Sequence, residues 1–379
     1  MYSIPYILIV CAYIILSIVN YRTNSKEMKL KIRFLSALLF FSFFAFRGFI
    51  GVDWVNYYVY FNDPSIALES GSEIGFAFLT KTIRFFGVND YLLYSLIITT
   101  IQLILLDNFL KRYSPNIPLS YAILIAIFPV LIIELLRNFL ALLIFLQSIR
   151  FIIERRFILF AFVLFSAALF HVTIILLFPL YFLSNRIIAK KSILILFGIG
   201  LVFYVLQIDL IRLMLEQIAS FVGGRYAHLI NLYLAHDTFG VGQGIRFGIL
   251  ERIFFFVLLL YKYNQVSLLG KKEPSVIFFT NTFFLFVLIN LFFSTMDIII
   301  SRVAFLLFFS YIIIIPYLRN LYYFKVNKTV ICFCIYVICI LKTSMSMDRP
   351  TYMYENILFN NSGRENREMI IREARGGRR

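Results

Sequence analysis

Arginine is costly at the edge of hydrocarbon, so each one that closes or opens an apolar run asks for a reason. Arg47 ends one such run and Arg137 opens another, Arg302 starts a third, Arg252 sits near the start of a fourth, and Arg225 and Arg246 lie in Gly-rich sequence. A guanidinium is a planar fork of fixed charge that can hold a phosphate or carboxylate bidentately, which a lysine cannot do. The bland account is that these are interfacial anchors or ion-pair partners, for example Arg137 with Glu134 at i, i+3. Against all of them being inert stands the choice of arginine, since lysine would anchor equally well.

Carboxylates and one histidine complete the reactive set. Asp53 lies just past Gly51 among Trp54, Tyr57, Tyr58 and Tyr60, whose rings could stack on sugar faces or serve as an interfacial belt. Glu73 opens a helical pattern, where a helix dipole alone would explain an anion. Asp297 precedes Arg302 closely enough for a structural ion pair. His171 interrupts a strongly apolar stretch, where an imidazole must find a partner, as a packing residue or as a base. His228 and His236 read as surface residues. There is no His/Cys/carboxylate trio with metal spacing, no phosphate loop, no nucleophile elbow and no dinucleotide fingerprint, so no metal or cofactor is expected.

The elements that must position these groups follow from composition. Of 379 residues, 61% are hydrophobic and only 15% are charged, and the mean hydropathy is +0.88. A soluble domain could not hide that much apolar surface, so a soluble enzyme and a nucleic-acid-binding domain are both excluded. The formal charge of +16 belongs to membrane topology, in which cytoplasmic loops collect Lys and Arg. The four cysteines lie in apolar runs and read as packing residues. The first run lacks the basic start and cleavage pattern of a signal peptide and reads as a membrane helix.

The expected fold is therefore all-α, a polytopic integral membrane helix bundle. Apolar runs occur near 4–20, 34–50, 91–110, 118–133, 137–153, 192–207, 247–262, 275–293, 302–319 and 329–342. Setting the basic segments 20–33, 111–117, 150–156, 184–191, 261–274 and 319–328 inside gives about 12 crossings, with 157–183 leaving and returning around His171. A single transmembrane domain spans 1–361, with external segments 51–90, 208–246 and 294–302. Within the first of these, 74–87 reads as a helix lying at the interface. The segment 208–246 is a large external loop, and 362–379 a polar, mobile tail with no assigned role.

The strings FRGFIGVDWVNYYVYF (46–61) and SEIGFAFLTKTIRFFGVNDY (72–91) resemble the Wzy/EpsG family of bacterial polysaccharide polymerases. That family has an Arg ending an early span, then Gly-x-Asp in Tyr/Asn-rich sequence, then Glu-x-Gly opening a helix. ELLRNFLALLIF (134–145), SAALFHVTIILLFPLYFL (166–183) and GGRYAHL (223–229) are similar to its later motifs, although Asn138 stands where a Gln often follows the arginine. The resemblance implies a GT-C-like glycosyltransferase that joins undecaprenyl-pyrophosphate-linked oligosaccharides, as donor and acceptor, at the outer face of the bacterial plasma (inner) membrane. Its partners would be those lipid-linked sugars and membrane lipid, not nucleic acid, and a chain-length regulator protein stays open. On this reading Arg47, Arg137, Arg225, Arg246 and Arg302 bind pyrophosphate. Asp53, then His171, are the candidate bases, and Glu73, Trp54, Tyr57 and Tyr226 hold sugar. The alternatives are a lipid-linked oligosaccharide flippase or other transporter, and a membrane acyltransferase modifying polysaccharide.

Overall fold

The computed structural model describes residues 2–69, 73–183, 186–209, 217, 220, 224, 247–295, 303–322, 324–360 and 362–376. Among them the regular elements are helical, and the only pairing of extended backbone is a pair of isolated bridges, Arg47 with Asn356 and Asn356 with Asn360. Contacts divide the chain into two units, Met1–Phe178 with Tyr322–Arg379, and Pro179–Leu321. The first of these units also takes in the C-terminal end of the chain.

The first unit opens with α1 (Ile4–Arg22) and α2 (Lys26–Phe40), the latter running into a π-helical turn, Phe41–Ala45. Ser25 caps α2 by accepting from the Met28 N–H at 3.3 Å, which satisfies one of the orphan donors of the first turn. Short helices α3 (Trp54–Asn62), α4 (Pro64–Glu69) and α5 (Ile74–Phe85) follow. α5 buries Phe76, Ala77, Thr80 and Ile83 on one face and exposes Ile74, Phe78 and Phe85 on the other. Asp90 then caps the long α6 (Tyr91–Tyr113) through the Leu93 N–H at 2.8 Å.

Asn116 caps α7 (Ile117–Ile127) and also donates to the Ser17 carbonyl at 3.1 Å. Pro129 stops α7, since it has no N–H to give and its ring crowds the preceding turn. The chain restarts as α8 (Pro129–Ile133), α9 (Leu136–Leu146) and α10 (Ile149–Ile153). After α11 (Phe157–Ala168) the backbone goes extended at His171 (φ −160°, ψ 113°) and returns as a 3-10 helix, Val172–Leu177. The return is antiparallel: the Phe178 ring lies 6.1 Å from both Phe157 and Phe160.

In the second unit, α12 (Leu180–Leu183) and α13 (Lys190–Val205) precede α14 (Phe247–Tyr261) and α15 (Tyr263–Lys272), the last two bent by 72°. α16 (Pro274–Phe292) and α17 (Phe309–Leu318) complete it. Gly270 permits the turn into α16, because a Cβ there would stand 2.1 Å from Ile277 Cγ1. Two ionisable residues inside this unit have partners: Tyr311 donates to Glu251, and Arg252 donates to Asn290 while lying 4.9 Å from the Phe286 ring. The chain then rejoins the first unit as α18 (Lys325–Met347) and α19 (Arg364–Gly376).

Five helices among the described residues are long and apolar enough to cross a bilayer: Ile4–Arg22, Tyr91–Tyr113, Leu136–Ile153, Pro274–Phe292 and Lys325–Met347. The bent pair Phe247–Tyr261 and Tyr263–Lys272 would make a sixth, and Ile117–Ile127, Phe157–Ala168 and Val172–Leu183 are shorter apolar helices. A helix bundle with this many apolar spans is a multi-pass membrane protein.

Candidate active site

Glu73 is the hub of the polar cluster in the first unit. It precedes α5 with extended backbone (φ −71°, ψ 140°) and makes no side-chain cap. Oε1 lies 2.8 Å from His171 Nδ1 and accepts the Val172 N–H at 3.1 Å, and Oε2 lies 2.9 Å from Arg137 Nη1. Burial would raise the Glu73 pKa, but the hydrogen bond from His171 and the charge of Arg137 outweigh it and hold the group down at about 2. The ion pair of Arg137 thus runs to Glu73, not to the nearby Glu134 its spacing had suggested.

A carboxylate that stays ionised can only accept, so His171 donates to it from Nδ1. His171 is 5% exposed, and Nε2 meets no hydrogen-bond partner among the described residues. A carboxylate that orients an imidazole through Nδ1 and leaves Nε2 bare is the arrangement of a general base.

Gly75 brings α5 to this position. Its N–H donates to the Leu169 carbonyl at 2.8 Å, two residues before His171. Spacing in Glu-x-Gly therefore has a physical meaning: the Glu reaches the histidine because the Gly lets two backbones touch.

Beside this trio lies the turn that follows Arg47. The Arg47 side chain is 4% exposed and donates from Nη1 to the Phe44 carbonyl at 2.7 Å and to Thr99 Oγ1 at 3.0 Å. It lines a narrow cavity with Trp54, Tyr57, Tyr91, Ser95 and Leu136, with room for roughly one water molecule. Arg47, expected to bind pyrophosphate, is enclosed, with Trp54, Tyr57 and Tyr91 of one aromatic cluster beside it. Trp54 and Tyr57, expected to offer their faces to a sugar, are buried in that cluster. Phe49 lies 4.6 Å from Trp54, and Phe76 lies 5.9 Å from Tyr57. Burial pushes the Tyr57 hydroxyl up to about 12. That hydroxyl accepts a long hydrogen bond from the Arg137 N–H at 3.4 Å, which joins the cavity to the Glu73 cluster.

Asp53 stands at the start of α3, half-buried, and makes no cap hydrogen bond. Its charge helps to raise the Glu134 carboxyl, which burial raises most. Glu134 is a residue the sequence reading missed as a site member. Gly51, at φ +85°, would drive a Cβ to 2.7 Å from Glu134 Cγ, and Tyr352 hydrogen bonds to the same carboxyl. The positive φ favours glycine at 51. Arg225, Tyr226, Arg246 and Arg302, with Asp297, His228 and His236, lie outside the described residues. No group of His, Cys, Asp and Glu among the described residues has metal-binding geometry.

Within the segment read as a polar tail, Arg364–Gly376 forms α19, with Arg367 and Ile371 buried. Its charge-rich composition hid the fact that these two residues, one turn apart, share a face.

The helices and this cluster define a multi-pass α-helical membrane protein with a carboxylate–imidazole–guanidinium centre whose imidazole is buried. A family model described as the EpsG family matches residues 30–359. The chain belongs to the EpsG family. No curated protein and no solved structure matches it.

Proposed function

We propose that the protein polymerises undecaprenyl-pyrophosphate-linked oligosaccharide repeat units at the outer face of the bacterial plasma membrane. The observation that carries this reading is Glu73 joined at once to His171 and Arg137, at 2.8 and 2.9 Å, within a family-matched membrane chain. The fold is read as GT-C-like, and the about 12 crossings of this reading rest on the alternation of basic segments along the sequence. A chain-length regulator protein is the further partner this reading admits.

In the proposed reaction, His171 Nε2 takes the proton of an acceptor hydroxyl as its oxygen attacks the donor's anomeric carbon. The bond from that carbon to the pyrophosphate oxygen breaks with inversion, and undecaprenyl pyrophosphate leaves. Negative charge grows on the leaving group, which preorganised guanidinium groups stabilise. Arg137, partly exposed beside the base, is the described arginine best placed for that task. Arg225, Arg246 and Arg302 are proposed to share it. Fixed positive charge at the diphosphate removes the need for a divalent cation. Enclosure of Arg47 supports a role in holding the turn rather than gripping the diphosphate directly. Glu73 Oε1 accepts from His171 and Val172 while Oε2 faces the Arg137 guanidinium, which favours an orienting carboxylate over a sugar ligand. Asp53, half-exposed beyond the aromatic cluster, is the alternative base, and Trp54 and Tyr57 form the wall behind it.

Purified protein reconstituted with a synthetic lipid-linked repeat unit should yield dimers and longer products. His171→Ala should lower that rate on the order of 10²–10⁴-fold while the protein stays in the membrane. Wild-type turnover by this variant would remove the base, and no product from the wild type would remove the polymerase. Cells lacking a flippase would show no single repeat units outside, whereas loss of this protein should leave them there unpolymerised.

A further inference from the structure

The turn 46–53 carries Arg47 and Asp53 but belongs to no helix of its own, so its backbone groups must be met from elsewhere. They are met largely by the C-terminal end of the chain. The Ile357 N–H donates to the Phe46 carbonyl at 2.9 Å, the Gly48 N–H to Glu355 at 3.0 Å, and the Gly51 N–H to Thr351 at 2.9 Å. Arg47 and Asn356 form an isolated antiparallel bridge.

Arg367 ties the two strands of this assembly together. Its side chain is 2% exposed, and its Nε lies 3.8 Å from the fully buried Glu355 carboxylate. Nε donates to the Phe49 carbonyl at 2.6 Å and Nη2 to the Thr351 carbonyl at 3.1 Å. One planar fork thus bridges the turn and the segment that lies along it. A turn later on α19, Ile371 enters the same aromatic cluster as Phe49, Trp54 and Tyr57. Arg364 lies over the Tyr58 ring at 4.7 Å. Burying a guanidinium is expensive, and removing its geometry leaves unpaired charge behind. The family match ends at residue 359, so α19 lies beyond it.

We propose that α19 is a clamp on turn 46–53 and that Arg367 is a positioning residue, fixing that turn and through it Asp53 and the aromatic wall of Trp54 and Tyr57, whose hydroxyl meets the Arg137 N–H, without touching substrate. The role in catalysis rests on the transferase reading above. The clamp itself rests on the hydrogen bonds. Lysine would keep the charge but could not span two carbonyls in fixed directions. A shift of about 1 Å in a reacting group is enough to cost about 10²-fold in rate.

The test compares full-length protein, Arg367→Lys and a chain ended after Ser362, with three readouts. The first is kcat and KM on a synthetic lipid-linked repeat unit. The second is the rate at which a membrane-impermeant maleimide labels Val52→Cys, introduced into each form. The third is the thermal midpoint in detergent. Arg367→Lys should lower kcat about 10²-fold with little change in KM, and both altered forms should label several times faster than the full chain. Wild-type kcat in the shortened chain, or unchanged labelling in both forms, would overturn the clamp. So would a kcat loss that merely tracks the fraction of protein unfolded. If the full-length protein turns over no repeat unit, the transferase reading fails, while the labelling comparison still decides whether α19 holds the turn.

Discussion

Gly75 donates its backbone N–H to the Leu169 carbonyl at 2.8 Å, and a Cβ at position 75 would stand 2.7 Å from that same oxygen. The obstacle is backbone, not a side chain that could swing away, so α5 would have to retreat. Gly75→Ala should therefore draw Glu73 off His171 and lower polymer formation at least about tenfold, in the range that small displacements of reacting groups produce. Membrane-embedded protein should persist, since α5 is a short element. Normal polymer from Gly75→Ala would show that the close approach does not matter.

Glu73 gives a pH signature. Its carboxyl is held at about 2 against an ordinary value of 4.5, so the folded state favours the ionised form. The stability it contributes is complete above pH 4.5 and is lost as pH falls toward 2. Glu73→Gln should be less stable than wild type at neutral pH, by about 1–3 kcal/mol, from the Arg137 charge and the His171 and Val172 donors it leaves poorly met. Its thermal midpoint should also fall less steeply through that acid window. Parallel melting curves for the two proteins between pH 5 and pH 2 would contradict this assignment.

Arg137→Lys separates charge from shape. A lysine can still neutralise Glu73, but it offers a compact point charge where the guanidinium presents a fork. Thermal stability should change by less than about 1 kcal/mol, while turnover should drop more than about tenfold, since a preorganised donor is lost at the leaving group. Equal losses in both would make Arg137 a structural partner of Glu73 alone.

Away from the site, Arg33 meets both oxygens of Asp107 from Nε at 3.0 Å each, with both side chains largely buried. Asp107→Asn should cost about 1.5–3 kcal/mol, the scale of a hydrogen bond to a charged group. Combining Arg33→Met with Asp107→Leu should cost less than either single change, because no buried charge is left alone. Strict additivity in denaturation of the purified protein would argue that the pair contributes nothing.

Residue types, hydropathy and local caps were enough to place most helices and the break at His171, and to single out Glu73, Arg137 and Asp53 as groups that need partners. These features are local: an apolar run of sufficient length must be helical in lipid, and an ionisable group beside it must have a partner. Which partner it has is not local. Glu73 and His171 are 98 positions apart, and nothing in either string says that they meet. Nor could composition reveal α19, whose many Arg and Glu residues mask the face carrying Arg367 and Ile371. The enclosure of Arg47, Trp54 and Tyr57 was likewise decided by tertiary structure, since aromatic rings that could face a sugar gain more contact by packing on one another. The sequence by itself determined that this is a membrane helix bundle with arginines, carboxylates and a histidine that need company. Only the fold decided which of them keep that company, because polar partners inside an apolar bundle are chosen by how helices distant in sequence come to lie side by side.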